Sequence, residues 1–376
     1  MPAKVQQPKA TMSRDALWEK RMNTIVPLVA IFLGFLVGIL IMLFTGRDPL
    51  DIFRALMRGT IGIDTTLIGT GSLWFNARYI GEFLVFSMPI ILTGLSVAFA
   101  FRTGLFNIGA EGQLLMGSFG AVMIGVLLDL PTIIHLPLAV LTGVLFGALW
   151  GFIPGFLKAK FNVHEVVVTI MMNYIALYFA NYLVKALPGS DNVKTVPVAE
   201  SASLASDFLS NLTNNSRFHW GFILVIIALI IFWLIIEKTI FGFELRSAGF
   251  NKHASKYAGM KVDRNIIYSM MIAGAFAGLA GVLISIGTFD YGRVLSVNEG
   301  YGFDGIAVAL VGNTSAIGSL LAGLLFGGLK AAQPLMQARG IPRDITNIII
   351  AAIVIFVAMR AGIKQIFDRF RTKEVE

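Results

Sequence analysis

Nine apolar stretches of 15 to 22 residues recur along this chain, and those of about 20 are long enough to cross a ~30 Å hydrocarbon layer as helices. They occupy residues 25–44, 83–101, 114–130, 138–157, 166–187, 220–236, 266–287, 315–329 and 345–359. A tenth, 305–312, is apolar but short, and Asn313 follows it. It reads as half of a broken helix, which lipid tolerates only where protein or a cavity surrounds the free backbone. Composition agrees. Hydrophobic residues make up 56% of the 376 and charged residues 14%, against about 25% charged in soluble domains. With no cysteine, this excludes an ordinary cytosolic enzyme, a disordered chain and a disulfide-stapled secreted protein. The net charge of +8 is not a nucleic-acid signature by itself, and no nucleic-acid partner is expected.

Lysine and arginine decide which way such a chain threads the bilayer. With the N-terminus inside, the inner segments 1–24, 102–113, 158–165, 237–265, 313–314 and 360–376 hold 19 of the 30 basic residues. That excess places both termini in the cytoplasm and requires an even number of crossings. The expected fold is all-α and polytopic, with about ten transmembrane helices, some broken. A cytoplasmic segment 1–24 precedes a membrane domain 25–359. Within that domain 237–265 is a cytoplasmic loop and 188–219 an extracytoplasmic one. A basic cytoplasmic tail, 360–376, ends the chain. Segment 25–44 is longer than a signal-peptide core and lacks a small-residue cleavage site, so it reads as a permanent span. Residues 12–22 read either as a helix on the inner surface or as a solvated tail.

No catalytic residue emerges. The nearest string to a P-loop, 323–330 (GLLFGGLK), has Leu329 where the lysine belongs, so ATP hydrolysis by that mechanism is not expected here. The four histidines, 135, 164, 219 and 253, are scattered. Without cysteine they predict no metal site.

Polar groups within spans are costly and therefore informative. Residues 102–113 (RTGLFNIGAEGQ) bring Asn107, Glu111 and Gln113 to the start of the third span, with Gly104, Gly109 and Gly112 allowing a tight reversal. These side chains belong either to a polar pathway or gate, or to a knot that satisfies its own backbone. For Glu111 the balance favours the knot. Glu165, Thr169, Asn173 and Asn181 share most of one face of the fifth span. They line a conduit or bond between helices. A second Gly-rich polar break at 300–315 pairs in kind with the one at 107–113, as in transporters built from inverted repeats. Gly143, Gly147, Gly151 and Gly155 form a small-residue stripe for close helix packing, within the chain or against another subunit.

The loop 237–265 carries six basic residues. Inside it, Asn251 is placed to cap a short helix and Gly259 to end it, while Ala254, Tyr257 and Ala258 make a small apolar face. Gly249 is expected to break the chain just upstream. Two readings remain: a helix that docks in a groove of another protein, or a basic loop that fixes topology and touches anionic lipid.

The strings 104–113, 169–175 (TIMMNYI), 244–260 (ELRSAGFNKHASKYAGM) and 307–319 (AVALVGNTSAIGS) resemble permeases of ABC importers. The resemblance is to the branched-chain amino acid/ribose permease superfamily. Within it, the look is nearest to permeases of nucleoside importers that work with a basic-membrane-protein-type lipoprotein. It runs from about residue 83 to the C-terminus. It implies a multi-pass bacterial plasma-membrane subunit that pairs with a second, homologous permease. A cytoplasmic ABC ATPase would consume the ATP, leaving this chain without a cofactor, and an extracytoplasmic binding lipoprotein would deliver cargo. Residues 251–259 would then be the coupling helix. Simple sugars or branched-chain amino acids are the alternative cargoes, and a stand-alone ion-coupled carrier is the alternative class.

Overall fold

The computed structural model describes residues 14–69 and 73–373. In chain order the helices are α1 (Arg14–Phe44), α2 (Leu50–Ile61), α3 (Ala77–Arg102), α4 (Ala110–Leu127), α5 (Thr132–Phe161), α6 (Glu165–Lys185), α7 (Asp207–Leu212) and α8 (Gly221–Trp233). They continue as α9 (Ile240–Phe250), α10 (Lys252–Tyr257), α11 (Val262–Leu283), α12 (Tyr301–Val311), α13 (Ala316–Ala338), α14 (Arg343–Ala358) and α15 (Arg360–Lys373). Wide π-helical turns extend α8 to Lys238 and α11 to Phe289. Two isolated bridges, Ile63 with Phe75 and Lys194 with Arg293, are the β-pairings among the described residues. Eight helices there are long and apolar enough to cross a membrane. The short α12 and the 16-residue α14 complete the ten elements read from the sequence.

Three boundaries differ from expectation. The part of 12–22 that is described does not form a separate surface helix but the first turns of α1, because residues 14–24 hold no glycine or proline, and the helix runs on through Pro27. The part before Arg14 lies outside the described residues. A twelve-residue amphipathic helix, α2, occupies what read as a plain outer segment. Finally, α13 continues nine residues past Leu329, so Lys330 lies inside it.

The glycine stripe of α5 is spent inside the chain. A methyl on Gly147 would fall 2.6 Å from the Cα of Gly278 on α11, and one on Gly155 would fall 2.9 Å from the Cβ of Met270. In lipid, where apolar surface alone gives helices no reason to meet, such backbone proximity supplies the dispersion contacts that hold them. One core cluster joins α3, α4, α6, α8 and α11; a second joins α1, α2, α12, α13 and α14. Helix α3 contributes buried residues to both.

Loop contacts sort onto two ends. At one end Gly104 meets Gly249, Arg102 pairs with Glu237, Lys158 with Glu165, and Arg360 donates to Asn313 at 2.9 Å. At the other, Glu82 pairs with Arg217, Asn214 donates to Asn76, and Asp51 pairs with Arg339. These are the groupings that the distribution of basic residues assigns to the inner and outer sides.

Candidate functional site

Asn107, Glu111, Gln113 and Asn173 come together, each at most 1% exposed. After α3 the chain turns at Gly104 and runs back beside its own helix, so that the Asn107 amide donates to Ser96 Oγ at 3.2 Å and to Gln113 Oε1 at 2.9 Å. Gln113 returns a bond to Asn107 Oδ1. From α6, Asn173 accepts from the Gly112 N–H at 2.8 Å and donates to the Ile108 carbonyl at 2.9 Å. Further along α6, Asn181 brackets Leu295 in the same two-handed way. The polar face of α6 therefore makes bonds to neighbouring segments.

Glu111 stands in the first turn of α4, yet its carboxylate serves a different helix. Its Oε1 accepts from the Gly300 N–H at 2.8 Å and its Oε2 from the Gly302 N–H at 2.6 Å, at the start of α12. Gly302 has to be glycine, because a methyl there would lie 2.6 Å from the Glu111 Cα. Thr93 Oγ1 donates to the Tyr301 carbonyl at 2.8 Å. Thr93 is nine residues from the Arg102 end of α3, about 14 Å, and sixteen from Ala77, about 24 Å. The junction therefore lies at hydrocarbon depth. From it α4 runs toward the Glu82 end, where the Gly125 carbonyl accepts from Ala199. α12 runs the opposite way, to Asn313 and Arg360. Two positive helix ends thus share one carboxylate. The two polar breaks, related only in kind in the sequence, are in contact.

A further set of charged groups was not visible in the sequence. Lys330 Nζ lies 3.0 Å from Asp304 Oδ2 on α12. Lys330 is fourteen residues into α13, about 21 Å from its start. The sequence reading closed the span at Leu329 because a charge follows. The signal it passed over was the continuing periodicity of buried Leu329, Ala332 and Met336. Nearby, Arg293 grips Glu299 through two bonds of 2.6 and 2.7 Å, and its guanidinium sits 4.0 Å from the Phe289 ring centre. Arg217, paired with Glu82, lies 6.0 Å from the same ring and 5.9 Å from Phe86.

At the opposite end, Asn251 Oδ1 accepts from the N–H groups of His253 and Ala254, both at 3.0 Å, and so starts α10. Gly259 ends it at φ +81°, a left-handed conformation that glycine adopts without strain. Ala254, Tyr257 and Ala258 are exposed, Tyr257 at 95%. Gly249 does not break the chain. It lies within α9, where its missing side chain lets the helix rest on the 102–104 turn; a methyl would fall 2.8 Å from the Arg102 carbonyl. The reversal comes at Asn251, whose backbone is extended. Glu237 accepts from both Arg102 and Arg246 and ties this platform to α3. Clefts of about 360 and 520 Å³ flank it, the larger bordered by Lys160, Lys256, Lys261 and Arg264.

A family profile described as "Branched-chain amino acid transport system / permease component" matches residues 79–358. The guanosine ABC transporter permease protein of Bacillus subtilis (strain 168) is 49% identical over 352 residues, covering 93% of this chain and 97% of that protein. The nucleoside ABC transporter permease protein of Lactococcus lactis subsp. cremoris (strain MG1363) is 40% identical over 348 residues, covering 91% and 92%. A glucose ABC transporter permease protein of Haloferax volcanii is 30% identical over 355 residues, covering 92% and 88%.

Proposed function

The chain belongs to the branched-chain amino acid transport system permease family, and from that premise we propose that it forms half of the membrane pathway of an ATP-driven nucleoside importer. It is a multi-pass plasma-membrane protein and a permease subunit, and its family works with ATPase and substrate-binding partners. The observation that favours nucleoside cargo is the 49% identity to a guanosine permease across nearly the whole of both chains. The 30% identity to a glucose permease supports sugar as the second reading. In this proposal the second permease is homologous, the binding protein is an extracytoplasmic lipoprotein, and ATP is consumed by the cytoplasmic partner rather than by this chain.

The coupling helix in this reading is α10. Its capped, outward-facing surface with Tyr257 enters the ATPase, and the α10 end is the cytoplasmic one in this reading. Movement of α10 passes to α9, then through the Gly249–Gly104 contact to the turn that carries Asn107 and Glu111. Glu111 ends that path at the first turn of α12. Each link is a packed or hydrogen-bonded contact, the kind of network through which two-state movements travel.

The test is uptake of guanosine and adenosine into proteoliposomes. One sample holds this chain alone; the other holds both permeases and the ATPase, with ATP inside and binding lipoprotein outside. Uptake by the full set only is expected. Uptake by the chain alone under an ion gradient would replace the importer with a secondary carrier.

A further inference from the structure

Ionised side chains that stand partly open at hydrocarbon depth need water, because lipid solvates neither partner. The side chains of Arg293 and Glu299 are 18% and 27% exposed, and those of Lys330 and Asp304 are 20% and 12% exposed. Arg217 and Arg293 lie 6.0 and 4.0 Å from the one Phe289 ring, and Glu299 and Asp304 flank Tyr301 at the start of α12, so the pairs form one group. The group descends from Glu82–Arg217 at one end of α3 to the level of Thr93 near the middle. Phe303, beside Asp304 on α12, is 43% exposed.

We propose that this face lines the translocation pathway and selects an uncharged cargo with a flat ring and vicinal hydroxyls. The proposal rests on the permease reading above. Three pairs, Glu82 with Arg217, Arg293 with Glu299 and Lys330 with Asp304, each cancel their charge. A column of neutral pairs gives a phosphorylated or zwitterionic solute no net attraction, yet presents donors and acceptors throughout. Carboxylate oxygens of Glu299 and Asp304 accept from ribose hydroxyls. Phe289, half-buried and 4.0 and 6.0 Å from the Arg293 and Arg217 guanidinium groups, sets an aromatic ring among these pairs, and this is the surface we assign to the nucleobase.

The chain has no cysteine, so single cysteines report directly on water. Phe303→Cys is placed in the full assembly and treated from outside with a polar, membrane-impermeant thiol reagent. Leu145→Cys on α5 and Ile230→Cys on α8, at exposed apolar positions of other faces, give the reference rate. We expect modification about tenfold faster at residue 303 than at the references, slowed when loaded lipoprotein delivers guanosine. Arg293→Gln should lower guanosine uptake about tenfold while ATPase and lipoprotein still co-purify. Guanosine uptake with an inert Phe303→Cys would overturn the placement of the pathway. So would lost lipoprotein binding in Arg293→Gln, which would make this face a docking surface. No guanosine uptake by the unaltered assembly would instead overturn the nucleoside reading, whatever the cysteines do.

Discussion

Glu111 accepts the backbone N–H of Gly302 at 2.6 Å across 191 residues of sequence, and so fastens α12 to the start of α4. The bond replaces water that neither helix end can reach. The N-terminus of α12 would otherwise leave donors unpaired at a depth where such groups are costly.

Glu111→Ala should therefore expose the cost of those donors. Two buried N–H groups lose their acceptor, at about 1–3 kcal/mol each. Thermal unfolding in detergent should shift clearly downward, with Glu111→Gln between the two because it keeps one acceptor oxygen. Unfolding of Glu111→Ala at the unaltered temperature would show that α12 holds its place by other means.

Removing the cap of α10 tests the coupling platform without touching the membrane. Asn251→Ala should destabilise the helix by about 1 kcal/mol, which is large for six residues. Reduced ATPase co-purification and reduced uptake are expected, with membrane insertion unchanged. Asn251→Asp keeps an acceptor and should retain both. Ala258→Asp puts a charge on the exposed face and should act more severely on association alone. ATPase binding indifferent to both changes would remove α10 from the coupling role.

The Lys330–Asp304 pair should behave as a unit. Lys330→Met leaves a mostly buried carboxylate uncompensated, at up to about 3–5 kcal/mol for a fully buried pair. Lys330→Met with Asp304→Asn should recover much of the lost stability but not the transport. A double variant no more stable than the single one would mean that the two charges do not depend on each other.

His219 gives the fold an acid limit. Burial, reinforced by the Arg217 guanidinium, pushes its pKa from 6.5 down to about 4. The neutral ring accepts from the Gly221 N–H through Nδ1 at 3.1 Å. The unfolded chain binds the proton near 6.5 while the folded chain resists until about 4. This contribution is therefore complete above 6.5 and declines as pH falls between those values. Melting temperatures at pH 7.5 and 5 should differ, and His219→Gln should narrow the difference. An equal pH dependence in the variant would assign it to other groups.

What could be read in advance follows from locality. Asn251 and Gly259 act within a few residues of themselves, so the capped helix between them was legible. So were the long apolar runs, and the pairing in kind of the two Gly-rich polar breaks. Glu111 was legible as a residue at a helix start, but not as the cap of another helix. Lys330 was misplaced because a charge at the edge of an apolar run looks the same whether it leaves the membrane or meets Asp304 inside it.

Hydropathy and the loop cations determined that this chain is a helical membrane protein with short and broken crossings, because transfer into lipid depends on residue type and run length alone. Its motifs determined the family. Only the tertiary structure decided that the two polar breaks meet at Glu111 and Gly302, that α5 spends its glycines on α11, and that Arg293 pairs with Glu299 and Lys330 with Asp304. Those facts depend on which distant segments pack together, and backbone hydrogen bonds between them leave no periodic trace in the sequence.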